Sequence, residues 1–329
     1  MFFRMYTRPM VVLISIFYLF FHIASCDKKN DLEAESGKKT ETAKDDGQEE
    51  EEDNNESEPE QEDPDQEETP DQQEEEDPNF NYDAFRVDKG FHVPFSLGET
   101  PAPYGYYLFF PESYKKLKNT YPLLVFLHGW DERGDSKTNK SELGKVLKHG
   151  PGKLINKKSW SPKEEMLVVS AQTPNQWNSE DVKKLIDYLV KTYRVDKKRV
   201  YLTGLSMGGH GTFDYLGKYG AESGIAAAVP ICGWGDPANS TYVKNVSKVP
   251  IWMFHGEADR QIAVSRALAM AEALYNVESK IRPKLTLYPN VGHDSWTITY
   301  DGSGRDKENP DYDVFDQDIY SWMLQYRLP

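Results

Sequence analysis

The sequence predicts an α/β fold in which a doubly wound, mostly parallel sheet carries helices on both faces. From Phe80 onward, apolar segments of strand length alternate with amphipathic segments of helix length. This alternation is typical of a parallel sheet whose strands are joined by helical crossovers. Several strand segments are apolar throughout, as expected when helices cover both faces of the sheet. The chain shows no internal repeat, so we expect one domain over residues 80–329.

Seven segments are predicted as strands and four as helices. The strands are predicted at residues 106–110, 123–127, 167–170, 200–203, 225–230, 251–254 and 285–288. The helices are predicted at residues 181–193, 209–219, 264–275 and 312–326. In the first helix, Val182, Leu185, Ile186 and Leu189 recur at the spacing of one helix face.

The first 26 residues are predicted to be a targeting segment. Arg4 and Arg8 give it a positive start, residues 10–21 form a short apolar run, and small residues lead to Cys26. The run is too short and too poorly flanked for a membrane-spanning helix. A small-residue cleavage site directly before cysteine resembles the lipobox of bacterial lipoproteins, which implies a lipid on Cys26 and a place in the cell envelope, at the outer membrane or cell surface. An ordinary secretory signal is the alternative, and both predict export.

Residues 27–79 are predicted to be an acidic, disordered linker. They carry 25 acidic and 5 basic residues, and their aliphatic side chains are those of Leu32, Ala34 and Ala43. Such a segment cannot bury enough apolar surface to offset its chain entropy, and its like charges extend it. Residues 80–329 have a net charge of +3, so we expect no nucleic-acid partner. The linker is predicted to hold the folded domain away from a membrane.

Ser206 is the predicted nucleophile. The segment Gly204-Leu205-Ser206-Met207-Gly208 matches the G-x-S-x-G nucleophile elbow. The pattern alone is weak, but here a predicted strand precedes it and a predicted helix follows it. A serine between strand and helix must make a tight turn, and the flanking glycines remove Cβ atoms that would clash there. The hydroxyl then projects at a helix start, where backbone N–H groups favour negative charge.

A serine nucleophile requires a base, and His293 is the predicted one because it follows the last predicted strand. His210 is carried away from the serine along the helix that follows the elbow. His128 and His255 each precede glycine at a strand end, which indicates roles in shaping loops or the walls of a site. The remaining histidines are His22, His92 and His149.

The acid of the triad is predicted in the segment Phe254-His255-Gly256-Glu257-Ala258-Asp259, because the chain order Ser, acid, His places it at a strand end between the other two. We prefer Asp259, since the reach to the imidazole suits a loop residue several positions beyond the strand. Glu257 is the alternative, and Asp294 is a weaker one. The carboxylate would orient the imidazole and stabilise its protonated form.

Two backbone N–H groups are predicted to bind the oxyanion of a tetrahedral intermediate. Met207 supplies one because it follows the nucleophile. Trp130 supplies the other, from the loop after the predicted strand at residues 123–127. The adjacent Glu132 and Arg133 are expected to form an ion pair that shapes this loop.

Four tryptophans fall in predicted strand-end loops. Ligands of open α/β sheets bind at this edge, and flat aromatic faces suit sugars or an aromatic acyl group. We predict that Trp177, Trp234 and Trp296 bind substrate near Trp130. For each of them, packing of a loop onto the sheet is the alternative.

Three motifs together resemble the bacterial carboxylesterases of the α/β-hydrolase fold that are often labelled predicted peptidases. They are His128-Gly129-Trp130-Asp131-Glu132-Arg133-Gly134-Asp135, Tyr201-Leu202-Thr203-Gly204-Leu205-Ser206-Met207-Gly208-Gly209 and Gly292-His293-Asp294-Ser295-Trp296. That family is similar to feruloyl and acetyl-xylan esterases and to polyhydroxybutyrate depolymerases. The resemblance implies the triad Ser206, Asp259 and His293 and extracellular ester substrates, often acyl groups on plant polysaccharides. Trp130 departs from the small residue common at its position.

The predicted function is that of a secreted, lipid-anchored serine carboxylesterase that forms an acyl-enzyme without a metal or cofactor. The expected partners are an acylated oligo- or polysaccharide and a membrane bound through Cys26. A serine peptidase with the same triad is one alternative, disfavoured because peptide cleavage needs protonation of a poorer leaving group and a defined cleft. A non-catalytic, sugar-binding lipoprotein is another, disfavoured because all three triad residues are present.

Overall fold

The computed structural model describes residues 80–160 and 163–329, so the predictions for the signal segment, the linker and Cys26 lie outside the described residues. The strands are β1 (Arg86–Val87), β2 (Gly90–Phe95), β3 (Gly105–Pro111), β4 (Tyr121–Leu127), β5 (Leu167–Gln172), β6 (Val195–Leu205), β7 (Ala227–Ile231), β8 (Trp252–Gly256) and β9 (Lys284–Tyr288). The α-helices are α1 (Gly150–Asn156), α2 (Ser179–Thr192), α3 (Met207–Tyr219), α4 (Ser240–Val246), α5 (Ser265–Tyr275), α6 (Trp296–Tyr300) and α7 (Ile319–Met323). None of these helices is long and apolar enough to span a membrane.

The strands form one sheet in the order β1-β2-β3-β5-β4-β6-β7-β8-β9. Strands β4 to β9 run parallel to one another, and β1, β2 and β3 extend the sheet by antiparallel pairing. The prediction of a doubly wound, mostly parallel sheet is confirmed. Because β5 and β6 lie on opposite sides of β4, the strand order reverses there, and ligands of such sheets bind at this switch point.

The core has two layers, one on each face of the sheet. Alternate residues of β4 point to opposite faces, as the pleat requires: Leu123 and Val125 belong to one layer, Leu124 and Phe126 to the other. Helices α2 to α5 contribute to the first layer, and α1, α6 and α7 contribute to the second. Every residue of β4 is buried, which explains its uninterrupted apolar sequence.

The C-terminal helix is shorter than predicted, and the prediction of a helix over residues 312–326 is wrong on both sides of α7 (Ile319–Met323). The preceding segment bonds to β9 instead. The Asp313 N–H donates to the Leu285 carbonyl at 2.9 Å, and the Asp313 carboxylate accepts from the Leu285 N–H at 2.9 Å. Helix α7 begins only after Asp318, whose side chain accepts from the Ser321 N–H at 2.8 Å and caps the helix.

Candidate active site

Ser206 lies in a strained turn between β6 and α3, with φ 52° and ψ −114°. A non-glycine residue in such a conformation costs about 1–3 kcal/mol, and strain of this kind concentrates at functional sites. The flanking glycines make the turn possible. A Cβ on Gly208 would lie 2.0 Å from the Leu127 carbonyl oxygen of the neighbouring strand, and one on Gly204 would lie 2.3 Å from the Gly208 oxygen.

The structure brings Ser206, His293 and Asp259 together in that order. The Ser206 hydroxyl donates to His293 Nε2 at 2.9 Å, and His293 Nδ1 donates to Asp259 Oδ2 at 2.7 Å. Because Asp259 accepts from Nδ1, the ring nitrogen that faces Ser206 is left free to take a proton. The His293 side chain is 11% exposed and that of Asp259 is fully buried, so the contact between them is shielded from water.

Asp259 follows β8 and is held by its own loop. Its Oδ1 accepts from the backbone N–H groups of Gln261 at 2.8 Å and Ile262 at 2.9 Å. The two alternative acids are engaged elsewhere. Glu257 accepts from the Asn309 side chain, and Asp294 accepts from the backbone and hydroxyl of Thr297 in α6.

The predicted oxyanion donors follow neighbouring strands: Trp130 lies after β4 and Met207 after β6, and Leu127 of β4 pairs with Gly204 of β6. Among the described residues, no acceptor is bonded to the N–H of Trp130 or of Met207, so both remain available to a ligand. The preceding N–H, that of Gly129, is occupied by the Glu132 carboxylate at 3.1 Å. Glu132 therefore fixes the loop while leaving the next donor free.

The predicted ion pair between Glu132 and Arg133 is wrong. Glu132 is buried and faces Lys148 and His149, at 3.9 and 3.6 Å. Burial raises the pKa of the Glu132 carboxyl above its usual value. Arg133 turns away and lies over the Trp130 ring, with its guanidinium carbon 3.2 Å from the ring centroid. The Arg133 Nε also donates to the Trp130 carbonyl at 2.9 Å.

The four strand-end tryptophans differ in exposure and contacts. Trp130 is 51% exposed. Trp177 is buried and donates to the His128 carbonyl at 3.0 Å. Trp234 is half-buried and stacks on His210. Trp296 packs edge-on against His293, with ring centroids 5.2 Å apart. Trp177 thus ties loops together, while Trp234 packs on His210, Trp296 packs on His293, and Trp130 is the most exposed of the four.

His128 shapes the loop after β4, as its place before glycine indicates. Its Nδ1 donates to the Gly129 carbonyl at 2.6 Å, and its Nε2 accepts from the Thr173 N–H at 3.1 Å. Burial lowers the pKa of His128 to about 4, so the ring is neutral at pH 7. Within residues 80–160 and 163–329, no cluster of three or more histidine, cysteine or acidic side chains could hold a metal ion.

A second histidine, His255, contacts the buried carboxylate of Asp259, and this contact was not predicted from the sequence. His255 Nε2 donates to the Ile262 carbonyl at 2.8 Å and lies 3.2 Å from Asp259 Oδ2. Its Nδ1 is buried with no hydrogen-bond partner among the described residues. Burial lowers the pKa of His255, so the ring is neutral at pH 7. The only available signal was its position at a strand end, four residues before Asp259.

His255→Leu is expected to lower kcat for ester hydrolysis by about 10- to 100-fold with little change in KM, because the Asp259 loop loses an anchor and a misplaced catalytic group costs rate. His255→Gln keeps an N–H donor near the Nε2 position and should recover most of that loss. Steady-state kinetics of both variants, with circular dichroism to check folding, test this. A Leu variant with native kcat would show that the contact does not position Asp259.

Comparisons with known proteins place the chain in a family. A family model described as the dienelactone hydrolase family matches residues 96–311. The bifunctional acetylxylan esterase/xylanase XynS20E of Neocallimastix patriciarum is 30% identical over 138 residues, which are 42% of this chain and 19% of that protein. This chain thus spans less than a fifth of the length of that relative.

A solved crystal structure of a thermostable esterase matches 73% of this chain and 64% of its own with a TM-score of 0.50 and 26% identity. The predicted α/β-hydrolase fold and the predicted resemblance to an esterase family of that fold are confirmed. Since the family match covers well over half of the sequence, this chain belongs to the dienelactone hydrolase family.

Proposed function

We propose that this protein is an exported serine carboxylesterase that hydrolyses acyl esters on plant polysaccharides, of the feruloyl or acetyl type. One observation carries the proposal: the Ser206 hydroxyl lies 2.9 Å from His293 Nε2, while the other ring nitrogen is held by the buried Asp259. A nucleophile, a base and an acid in contact are the minimum arrangement for activating a serine. The esterases matched by the chain support the same reaction class.

The reaction would proceed through an acyl-enzyme. Ser206 Oγ attacks the ester carbonyl carbon as its proton passes to His293 Nε2. The carbonyl oxygen, now negative, accepts from the N–H groups of Trp130 and Met207. His293 then gives the proton to the alcohol oxygen as the carbon–oxygen bond breaks. Water, deprotonated by His293, attacks the acyl-enzyme and releases the acid and free Ser206.

The polysaccharide substrate and the location of the enzyme are further parts of the proposal. The matched relative is named for acetylxylan, and we extend that substrate class to this chain. Trp130 is exposed but has Arg133 over one face of its ring, and we propose that the other face stacks on a sugar of the substrate. A lipid on Cys26 and the acidic linker over residues 27–79 would hold the domain at the cell surface, where polymers are accessible.

The test is acid release by the purified full-length protein from a panel of esters and one peptide substrate. The esters are 4-nitrophenyl acetate, acetylated xylo-oligosaccharides and methyl esters of aromatic acids. We expect hydrolysis of esters, with no cleavage of the peptide. If a folded, monodisperse protein released acid from none of the esters, the proposal would be wrong.

A further inference from the structure

A cavity of about 150 Å³ opens at Met207, the residue after Ser206, between the first turns of α3 and the loops after β5 and β7. Its lining includes Trp177, Trp234, Met207, His210, Asp214 and Gln176. A cavity of roughly 150 Å³ in another protein holds one benzene molecule, so this one has room for a single six-membered ring. Met207 carries one of the proposed oxyanion donors, which places the cavity next to the reacting carbonyl.

The position of the cavity assigns it to the acyl side of the ester. In the proposed reaction the leaving alcohol must face His293 Nε2, which protonates it. None of the residues that line the cavity belongs to the described loops that carry His293 and Asp259. A group that enters the cavity is therefore attached to the carbonyl carbon on the side away from His293.

At the end of the cavity formed by His210 and Asp214, the side chains are polar and are held in place by contacts with their neighbours. The His210 and Trp234 rings stack with centroids 4.2 Å apart and an interplanar angle of 12°. His210 Nδ1 donates to the Trp234 carbonyl at 2.9 Å, and its Nε2 lies 3.1 Å from Asp214 Oδ2. The Tyr242 hydroxyl donates to Asp214 Oδ1 at 3.1 Å. The Tyr242 hydrogen bond thus fixes one side of the Asp214 carboxylate, and His210 holds the other side as an ion pair when its ring carries both protons.

Asp214 retains capacity to bind a ligand hydroxyl. Each carboxylate oxygen accepts two hydrogen bonds, and each Asp214 oxygen has one described partner. The Asp214 side chain is 40% exposed. It lies two helical turns beyond Ser206, about 12 Å of helix rise, and helical side chains lean back toward the N-terminus. A ring joined to the carbonyl by a short spacer could span that distance, whereas an acetyl group could not.

We propose that this cavity binds the ring of a hydroxylated aromatic acyl group, with the ring against Trp177 and Trp234 and its hydroxyl donating to Asp214. The inference rests on the proposed function and narrows its acyl group from the feruloyl or acetyl type to phenolic acids, with Asp214 as the residue that selects the ring hydroxyl. A carboxylate at the end of the cavity favours a hydroxyl donor over an unsubstituted ring, because hydrogen bonds to charged groups are stronger than those between neutral groups.

The test compares methyl 4-hydroxycinnamate with methyl cinnamate, which differ only in the ring hydroxyl. The native protein should hydrolyse the hydroxylated ester with a kcat/KM at least about tenfold higher. In Asp214→Leu, whose side chain accepts no hydrogen bond, that ratio should fall toward one. The matched control is Asp187→Asn, an exposed aspartate on α2 paired with Lys183, which should keep the native ratio.

A ratio that is unchanged in Asp214→Leu would overturn the inference. The inference would also be overturned if Asp214→Leu lost activity on acetylated xylo-oligosaccharides but kept the native ratio of kcat/KM for the two cinnamate esters. The cavity would then bind the sugar. A binding measurement separates this inference from the proposed function. Calorimetry gives the affinity of the Ser206→Ala variant for methyl 4-hydroxycinnamate and for methyl cinnamate without any hydrolysis. Preference for the hydroxylated ester there, lost in Ser206→Ala/Asp214→Leu, would support the cavity assignment even if the native protein hydrolysed no ester. Equal binding of the two esters would reject it.

Discussion

Ser206→Ala is expected to lower kcat for ester hydrolysis by a factor of about 10⁶, the cost measured for removing the nucleophile of a serine hydrolase. The variant keeps His293, Asp259 and the oxyanion donors but lacks the oxygen that forms the acyl-enzyme. Any remaining rate would come from binding and oxyanion stabilisation acting on water. The measurement is the initial rate with 4-nitrophenyl acetate at pH 7, with protein purified from a host that lacks secreted esterases.

The backbone at Ser206 provides a matched comparison. Ser206→Gly removes the same oxygen and also relieves the φ of 52° that a Cβ makes unfavourable. We expect this variant to be equally inactive but more stable than the Ala variant, by about 1 kcal/mol in free energy of unfolding. Retention of native kcat by either variant would exclude Ser206 as the nucleophile.

Asp259→Asn is expected to lower kcat by about 10⁴-fold. The amide keeps an oxygen that can accept from the Gln261 and Ile262 N–H groups, so the loop should fold. Its NH₂ group would then face His293 Nδ1 and donate to it. The proton moves to Nε2 in consequence, and the nitrogen that faces Ser206 can no longer act as a base.

The control for Asp259→Asn is a substitution of Glu257, the nearby carboxylate that the sequence offered as the alternative acid of the triad. Glu257→Gln should retain activity close to native, because Glu257 contacts Asn309 rather than the imidazole. Thermal unfolding of both variants shows whether either change acts through stability. If Glu257→Gln lost activity while Asp259→Asn kept it, the acid of the triad would have been assigned to the wrong side chain.

The sheet was predictable from sequence where both of its faces are covered. In β4 and in the second half of β6, from Val200, every residue is buried, so β4 reads as an apolar run and this part of β6 as a largely apolar one that includes the buried Thr203. β2 was missed because Gly90–Phe95 includes His92 and Pro94 and extends the sheet by antiparallel pairing. Helices α1 and α4 were missed because seven residues each are too few to show a helical period.

Site residues that belong to one local turn were predictable from the sequence, whereas contacts between side chains of different loops were not. Ser206 and Met207 belong to one turn whose glycines mark it in the sequence. The His255 contact with Asp259 and the Asp214 contact with His210 depend on side-chain directions across three-dimensional loops and helix turns. Glu132 is predictable only as a charged residue, because its burial against Gly129 follows from how the loop after β4 folds back.

The triad is divided between the centre and the edge of the sheet. Ser206 follows β6, in the middle of the strand order, while Asp259 and His293 follow β8 and β9, the last two strands. Edge elements open locally at a lower free energy than central ones. On heating, the base and acid should therefore separate from the nucleophile before the central strands exchange their amide protons. Thermal inactivation would then precede global unfolding, and a bound ester, by bridging Ser206 and His293, would protect the edge of the sheet.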